Sequence, residues 1–264
     1  MISTGELFRF MADGAVTLDT PFAAAQVTAA STALNRLVSM APPGEGGKRP
    51  YRSSTTCNYF DPELLDLIQH PFLEEVACSV LRAEAVVLLQ TAVAATYPQP
   101  TGPFTFDQHI DLQYTRADLE ASPRRIVCSF FVWLSDVTET RAPMMYRPES
   151  HRLLARHWEQ APDLRGRLPR VQGVPMADLP DLTFTEPQPL LAKAGQVSVL
   201  TTAMVHGASV NLDRLPRKAM IITFTARDVT VELPPAQQET KDAYEARLLP
   251  LLRQERRHIL RSQA

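Results

Sequence analysis

Cysteine is scarce in this chain of 264 residues, and neither sign of charge dominates. The three cysteines, Cys57, Cys78 and Cys128, are odd in number and widely spaced, which argues against a disulfide framework and against a CxxC metal site. Reduced thiols in a cytoplasmic protein are therefore expected. The formal net charge of -2 offers no general attraction to nucleic acid or to an anionic membrane.

Long apolar runs, repeats and low-complexity segments are also missing. A membrane-spanning helix needs about 18 or more consecutive apolar residues, and no stretch approaches that length. The N-terminus carries Glu6, Arg9 and Asp13 where a secretion signal has a basic start and an apolar centre. Residues 261–264 do not match the peroxisomal address. We expect one domain over 1–264, a monomer or a homodimer, that binds a small molecule.

The first third of the chain has the signals of helices. A capping box, Ser3-Thr4-Gly5-Glu6, predicts one helix, and the alanine-rich stretch at 21–40 predicts another. Pro62 and Pro71 suit the first turns of two more helices, because proline lacks the N–H that this position does not use. The helical part is therefore expected to occupy about 1–83.

Short runs rich in β-branched and aromatic residues fill the middle of the chain, separated by turn residues. They lie at 85–89, 104–114, 125–133, 196–202 and 218–225. Strands and helices do not alternate, which argues against a parallel α/β sheet. The order predicts a mainly β fold with flanking helices, an antiparallel sandwich or barrel whose core occupies about 84–230.

Three further segments complete the predicted organisation. The stretch at 41–56 is rich in proline and glycine, which predicts a loop, and six prolines within 160–190 predict a long irregular insertion. A charged amphipathic pattern at 239–262 predicts a C-terminal helix with a kink at Pro250.

Two polar side chains stand out in one predicted strand. His109 and Asp111 are two residues apart, so a strand places them on one face, where both can reach a single metal ion. Ile110 then points to the opposite face. The pair alone equally fits a strand histidine in an ion pair with a neighbouring aspartate.

His206 and Arg217 strengthen the interpretation of that pair as metal ligands. Two imidazoles and one carboxylate are the ligand set of non-haem Fe(II) oxygenases, which leave the remaining metal positions open for chemistry. Arg217 follows His206 by eleven residues and starts a predicted strand; turned inward, it needs an anionic partner, and a diacid co-substrate suits it. The alternatives are a histidine at a strand end and a solvated arginine beside Arg214 and Lys218.

The chain resembles the phytanoyl-CoA dioxygenase-like family of Fe(II)/2-oxoglutarate oxygenases. The resemblance covers most of the sequence and includes both metal motifs, His109-Ile110-Asp111-Leu112 and the segment from His206 to Arg217. The other similar segments lie at 10–16, 70–73, 133–138 and 148–152.

This resemblance implies a double-stranded β-helix, the cupin-like jelly roll, with helices packed outside one sheet. It implies that Fe(II) binds to His109, Asp111 and His206, and that Arg217 holds the distal carboxylate of 2-oxoglutarate. The resemblance also implies that O2 is the second co-substrate. Hydroxylation is the favoured outcome, because related halogenases lack the carboxylate that Asp111 provides. Desaturation or ring formation remains an alternative outcome of the reaction. An alternative function is that of a metal-binding jelly-roll protein without oxygenase activity.

The sequence departs from the family pattern in three places. Residues 139–143 replace the Asn-Gly of the central loop, and Glu149 replaces the glycine of Pro-Gly-Ser-His. Ala208 stands where a hydroxyl residue often helps to hold the co-substrate. Ser209 or Thr201 is therefore expected to supply that hydroxyl.

The substrate is expected to be a small organic acid or a natural-product intermediate. Arg52 is a candidate clamp for an acidic group. Candidates for the apolar wall are Phe130, Trp133, Met144, Met145 and Tyr146. Gln90 is expected to contact co-substrate or substrate. The alternatives are a solvated basic surface for the arginine and plain core for the aromatic residues.

Overall fold

Two antiparallel sheets face one another, and most of the helices lie outside the larger sheet. The computed structural model describes residues 1–39, 51–99, 101–121, 127–161 and 170–261. Most of the predicted loop at 41–56, part of the predicted insertion at 160–190 and residue 262 of the predicted C-terminal helix lie outside the described residues.

Seven α-helices are found in the described part of the chain. They are α1 (Thr4–Asp13), α2 (Ala24–Ser39), α3 (Pro62–Ile68), α4 (Pro71–Leu81), α5 (Arg116–Glu120), α6 (Ser150–Trp158) and α7 (Pro235–Leu248). The capping box of α1 is present: the Ser3 hydroxyl accepts the Glu6 N–H at 3.3 Å, and the Glu6 carboxylate accepts the Ser3 N–H at 2.8 Å. No helix in the described ranges is both long enough and apolar enough to cross a bilayer.

Eleven strands are described in the same ranges. They are β1 (Ala15–Leu18), β2 (Arg52–Thr56), β3 (Val86–Thr96), β4 (His109–Gln113), β5 (Cys128–Trp133), β6 (Met144–Tyr146), β7 (Arg170–Pro175), β8 (Gln188–Leu190), β9 (Val197–Thr201), β10 (His206–Ala208) and β11 (Arg217–Ala226).

The strands form a larger sheet of order β1-β9-β5-β11-β3-β2 and a smaller sheet of order β7-β4-β10-β6-β8. Neighbouring strands run antiparallel in both sheets. Consecutive strands alternate between the two sheets along much of the chain, as in the predicted double-stranded β-helix. The smaller sheet pairs His206 with both His109 and Tyr146, which brings the two predicted metal motifs side by side.

The two faces of the larger sheet have different partners. Phe130 packs edge-on against Phe224, with ring centroids 5.8 Å apart, in the core that this sheet shares with the helices. The next residue, Phe131, points to the other face and stacks on Trp133 between the two sheets. The interior between the sheets is therefore built from alternate residues of each strand.

The C-terminal helix is shorter than predicted. It ends at Leu248 and gives way to two 3₁₀ turns, Leu249–Leu251 and Gln254–Ile259, instead of continuing past Pro250 to 262. Proline lacks an N–H and its ring clashes with the preceding helical turn, so the α-helix stops there and does not merely bend.

Three strands lie where the sequence predicts irregular structure. β2 lies within the predicted loop at 41–56, and β7 and β8 lie within the predicted insertion at 160–190. β2 has the sequence Arg-Ser-Ser-Thr-Thr, which lacks apolar alternation and therefore gives no strand signal. Its backbone pairs with β3 along its whole length.

Candidate active site

Three side chains of the smaller sheet come together in one cluster: those of His109, Asp111 and His206. His109 and Asp111 come from β4, and His206 comes from the neighbouring β10. Nε2 of His109 lies 3.4 Å from Oδ1 of Asp111, and Nε2 of His206 lies 3.3 Å from Oδ2 of the same carboxylate. One donor atom from each residue falls within 4.8 Å of the others, so a single ion can contact all three.

Backbone carbonyls orient both imidazole rings. Nδ1 of His206 lies 2.9 Å from the Met204 carbonyl oxygen, and Nδ1 of His109 lies 3.3 Å from that of Asp107. A carbonyl only accepts hydrogen bonds, so each Nδ1 carries a proton, and Nε2 is the nitrogen that faces Asp111 and is available to a metal.

The Asp111 carboxylate stays ionised. Burial by itself would raise its pKa, but the hydrogen bonds from His109 and His206 outweigh burial and hold the pKa of Asp111 well below its ordinary value. A metal ion would displace the Nε2 protons that face Asp111, and the three residues would then offer two neutral nitrogen donors and one anionic oxygen donor, which fits divalent iron.

A glycine allows β10 to approach the segment before β4. A Cβ atom on Gly207 would lie 1.5 Å from the carbonyl oxygen of Asp107, far inside van der Waals contact distance, so no larger residue fits there. Gly207 follows His206 directly, and Asp107 supplies the carbonyl next to His109 Nδ1. The close approach at Gly207 therefore sets the distance between the two histidines.

Arg217 is a buried cation with unused donors. Only 1% of its surface is exposed, its Nη2 donates to Thr96 Oγ1 at 3.0 Å, and its guanidinium carbon lies 5.4 Å from the ring centre of Trp133. Its Nε and Nη1 have no hydrogen-bond partner among the described residues. Burial, with a smaller effect from the charge of Arg52, lowers the pKa of Arg217 to about 9, so the group keeps its charge at neutral pH.

Arg52 lies on the other side of Thr96 from Arg217. Both arginines pair with Thr96 in the sheet register, Arg52 from β2 and Arg217 from β11. Two arginines thus flank one threonine in the sheet, and the charge of Arg52 acts on Arg217, so a carboxylate bound between them would relieve their mutual repulsion.

A cavity of about 960 Å³ lies between the sheets and includes all three residues of the His-Asp-His cluster. Arg52 and Gln90, both predicted to contact ligand, line it. Arg217 does not itself line the cavity.

Among the predicted residues of the apolar wall, Met144 lines the cavity, whereas Phe130 and Tyr146 lie elsewhere. Phe130 belongs to the helix-facing core, and its neighbour Phe131 lines the cavity instead. Tyr146 lies in the core between the sheets with Met144, and it is Met144 that lines the cavity. The difference between Phe130 and Phe131 follows from the alternation of side chains along β5.

The two predicted hydroxyl contacts also point away from the cavity. The Thr201 hydroxyl lies 3.3 Å from the hydroxyl of Tyr114, on the outer face of β9. The Ser209 hydroxyl donates to the Pro143 carbonyl at 2.7 Å. Thr202, one residue after Thr201, does line the cavity and is one of several hydroxyl residues there that the sequence pattern did not single out.

Residues from α7 form part of the cavity wall and were not predicted. They are Ala236, Gln237, Thr240 and Lys241. The spacing of Gln237, Thr240 and Lys241 on one helix face was visible in the sequence. The pairing of Lys241 with Glu245 four residues later is also typical of a solvent-exposed helix, so the signal was ambiguous.

At two positions where the sequence departs from the family motifs, the backbone has the positive φ that favours glycine. Glu149 has φ of +64° and Ala142 has φ of +43°, both in the left-handed region. Next to Glu149, the buried Ser150 hydroxyl donates to the Arg147 carbonyl at 2.6 Å and accepts the Val205 N–H at 2.9 Å. This motif therefore holds the segment that leads into His206.

A family model described as phytanoyl-CoA dioxygenase (PhyH) matches residues 10–219. The chain belongs to the phytanoyl-CoA dioxygenase family. The resemblance seen in the sequence is thereby confirmed. As a member of this family, the protein is a non-haem iron oxygenase that uses Fe(II), 2-oxoglutarate and O2. The comparison with curated proteins found no match.

Solved structures share the fold. The carbocyclase SnoK from nogalamycin biosynthesis is 21% identical, with a TM-score of 0.66 over 88% of this chain and 87% of its own. The epimerase SnoN, in complex with Fe3+, alpha ketoglutarate and nogalamycin RO, is 15% identical, with a TM-score of 0.62 over 86% and 85%. EctD from S. alaskensis, with 2-oxoglutarate and 5-hydroxyectoine, is 20% identical, with a TM-score of 0.60 over 88% and 78%. The predicted jelly-roll fold is confirmed.

Proposed function

We propose that His109, Asp111 and His206 hold the catalytic Fe(II) and that the protein hydroxylates a C–H bond of a small organic substrate. The observation that carries this proposal is the convergence of two Nε2 atoms and one carboxylate, with both Nδ1 atoms hydrogen-bonded to carbonyls. When bound, the iron with 2-oxoglutarate and O2 supplies the oxidising power for C–H cleavage.

The protein's own residues prepare this centre. The Met204 and Asp107 carbonyls fix the tautomer and the orientation of the two imidazoles before a metal arrives. Asp111 contributes a full negative charge at neutral pH and takes the third ligand position. A halide has no place there, which favours hydroxylation over halogenation.

Arg217 and Thr96 are proposed to hold the distal carboxylate of 2-oxoglutarate. The unpaired Nε and Nη1 of Arg217 offer a carboxylate two donors in a fixed plane. Burial away from water strengthens such a pair and makes an uncompensated guanidinium costly. Gln90 and Thr202, which line the cavity, are proposed as further polar contacts to the co-substrate or to the substrate.

The cavity supports a substrate larger than the co-substrate alone. Its apolar wall includes Phe131, Leu200 and Ile221, which keep water from the reacting carbon. The structural relatives named above carry small molecules, nogalamycin RO in SnoN and 5-hydroxyectoine in EctD. We infer a small organic acid or a natural-product intermediate for this chain as well.

The residues that line the cavity include some from β2, which precedes most of the strands in the sequence, and some from α7, which follows all of them. This distribution supports the proposal of a single catalytic domain over 1–264. The three cysteines are free, which supports a reducing, cytoplasmic location. A monomer or a homodimer is proposed.

Succinate release from 2-oxoglutarate, with Fe(II) and ascorbate, tests the proposed roles. The wild-type protein should form succinate, and His109→Ala and Arg217→Ala should not at the same co-substrate concentration. The exposed neighbour Arg214→Ala serves as the control and should keep wild-type turnover. Full turnover by His109→Ala would overturn the ligand assignment.

A further inference from the structure

Helix α7 presents a polar face to the cavity. Gln237, Thr240 and Lys241 are three and four residues apart, so they share one side of the helix, and all three line the cavity. The apolar residues Leu233 and Pro234 continue the same wall just before the helix. The wall contributed by α7 thus combines apolar surface with one cationic group, Lys241.

Lys241 is buried although it is charged. The exposed fraction of its side chain is 7%, and its ammonium donates to the carboxylate of Glu245, which is buried to the same degree. An ammonium has three N–H donors, and Glu245 is the hydrogen-bond partner found for it among the described residues. A buried cation with unused donors in a cavity wall has capacity for an anionic ligand.

The charges around the cavity favour the same kind of ligand. Among the described residues that line it, the cations are Arg52, Arg170 and Lys241. Asp111 is the one carboxylate in that wall, and the proposed metal centre uses it. A ligand that is both apolar and anionic therefore meets complementary surroundings.

We propose that the oxidised substrate carries an anionic group, a carboxylate, sulfonate or phosphate, and that Lys241 binds it. Glu245 holds the ammonium in the cavity wall from behind. The apolar residues Leu233, Phe131 and Leu200 accept the carbon skeleton. This inference rests on the proposed function only in treating the cavity as the substrate site.

Two fluorescent probes with the same aromatic skeleton test it. 8-Anilinonaphthalene-1-sulfonate carries one sulfonate, and N-phenyl-1-naphthylamine is its uncharged counterpart. Affinities for both are measured by fluorescence titration of the full chain, without iron or 2-oxoglutarate. The wild-type protein should bind the sulfonate at least about tenfold more tightly than the neutral probe, a difference typical of one charge-assisted contact.

Lys241→Met should lose most of that preference while keeping its affinity for the neutral probe within about twofold. Because Lys241→Met leaves Glu245 buried without a partner, the double variant Lys241→Met/Glu245→Gln should give the same loss. Glu245→Gln alone should bind the sulfonate more tightly, since it keeps the ammonium and removes its counter-charge. Lys193→Met is the matched control, because Lys193 is 79% exposed and lies outside the cavity.

An unchanged probe ratio in Lys241→Met and in the double variant overturns the inference, and so does a loss of equal size in Lys193→Met. Weaker sulfonate binding by Glu245→Gln also overturns it. Failure of succinate release together with the predicted probe pattern would instead remove the proposed function and leave Lys241 as an anion contact.

Discussion

The Ser150 hydroxyl accepts the Val205 N–H at 2.9 Å and so joins the start of α6 to the residue before His206. The same hydroxyl donates to the Arg147 carbonyl at 2.6 Å, and the Arg147 N–H in turn donates to the Val205 carbonyl at 2.9 Å. The backbone that carries a proposed iron ligand is thus fixed by a side chain more than fifty residues away in sequence.

Ser150→Ala should weaken metal binding without touching a ligand. It leaves the buried Val205 N–H without its acceptor, which should lower the free energy of unfolding by about 1–3 kcal/mol. Loosening of His206 should reduce Co(II) affinity about tenfold or more, measured by anaerobic titration. Ser150→Thr should restore part of both. Ser79→Ala, in α4 with its hydroxyl on the Glu75 carbonyl, is the control, and an equal loss of Co(II) affinity there would contradict the account.

Gly207→Ala should disrupt the metal centre by displacing the backbone of β10, which carries His206. The added methyl group would lie 1.5 Å from the Asp107 carbonyl oxygen, so β10 must move away from β4 and the two histidines must separate. Metal affinity should fall at least about tenfold. Gly5→Ala, whose new methyl group meets no atom within 4 Å, should retain wild-type affinity. Normal metal affinity in Gly207→Ala would show that this approach does not set the ligand spacing.

Arg217→Met should make the fold more stable and abolish the binding of 2-oxoglutarate. Arg217 is buried, and its Nε and Nη1 have no hydrogen-bond partner among the described residues. An apolar side chain of similar length should therefore raise the free energy of unfolding, by about 1–4 kcal/mol. The same variant should lose 2-oxoglutarate binding, because the carboxylate loses its partner. Urea unfolding and calorimetric titration give the two readouts. A destabilised Arg217→Met protein that still binds 2-oxoglutarate would contradict both expectations.

Glu149→Gly should stabilise the protein. Glu149 has φ of +64°, where a side chain costs about 1–2 kcal/mol and glycine does not. The gain, reduced by the greater freedom of glycine in the unfolded chain, should be about 0.5–1 kcal/mol in urea unfolding. Glu149→Ala keeps the Cβ and should give no such gain. Equal stabilities of the two variants would show that the left-handed backbone carries little strain.

The metal motif was predictable because its signal is local. His109 and Asp111 are two residues apart on a strand, and that spacing alone places both on one face. The partner His206 could be assigned through the resemblance to the family. Its register against His109 depends on sheet pairing, which no local pattern specifies.

The cavity wall was harder to predict because β5 is buried on both faces. Its sequence Cys-Ser-Phe-Phe-Val-Trp has no polar alternation, so Phe130 and Phe131 could not be assigned to opposite sides. A shift of one residue exchanges the helix-facing core for the cavity. Lys241 was missed for a related reason, since its pairing with Glu245 is also typical of a solvent-exposed helix.

Anaerobic Fe(II) titration of the wild-type protein and of His109→Ala, Asp111→Ala and His206→Ala tests the central assignment most directly. The account predicts one equivalent of tightly bound iron in the wild type and loss of that site in each variant, with circular dichroism unchanged. Wild-type iron affinity in any one of the three folded variants would contradict it.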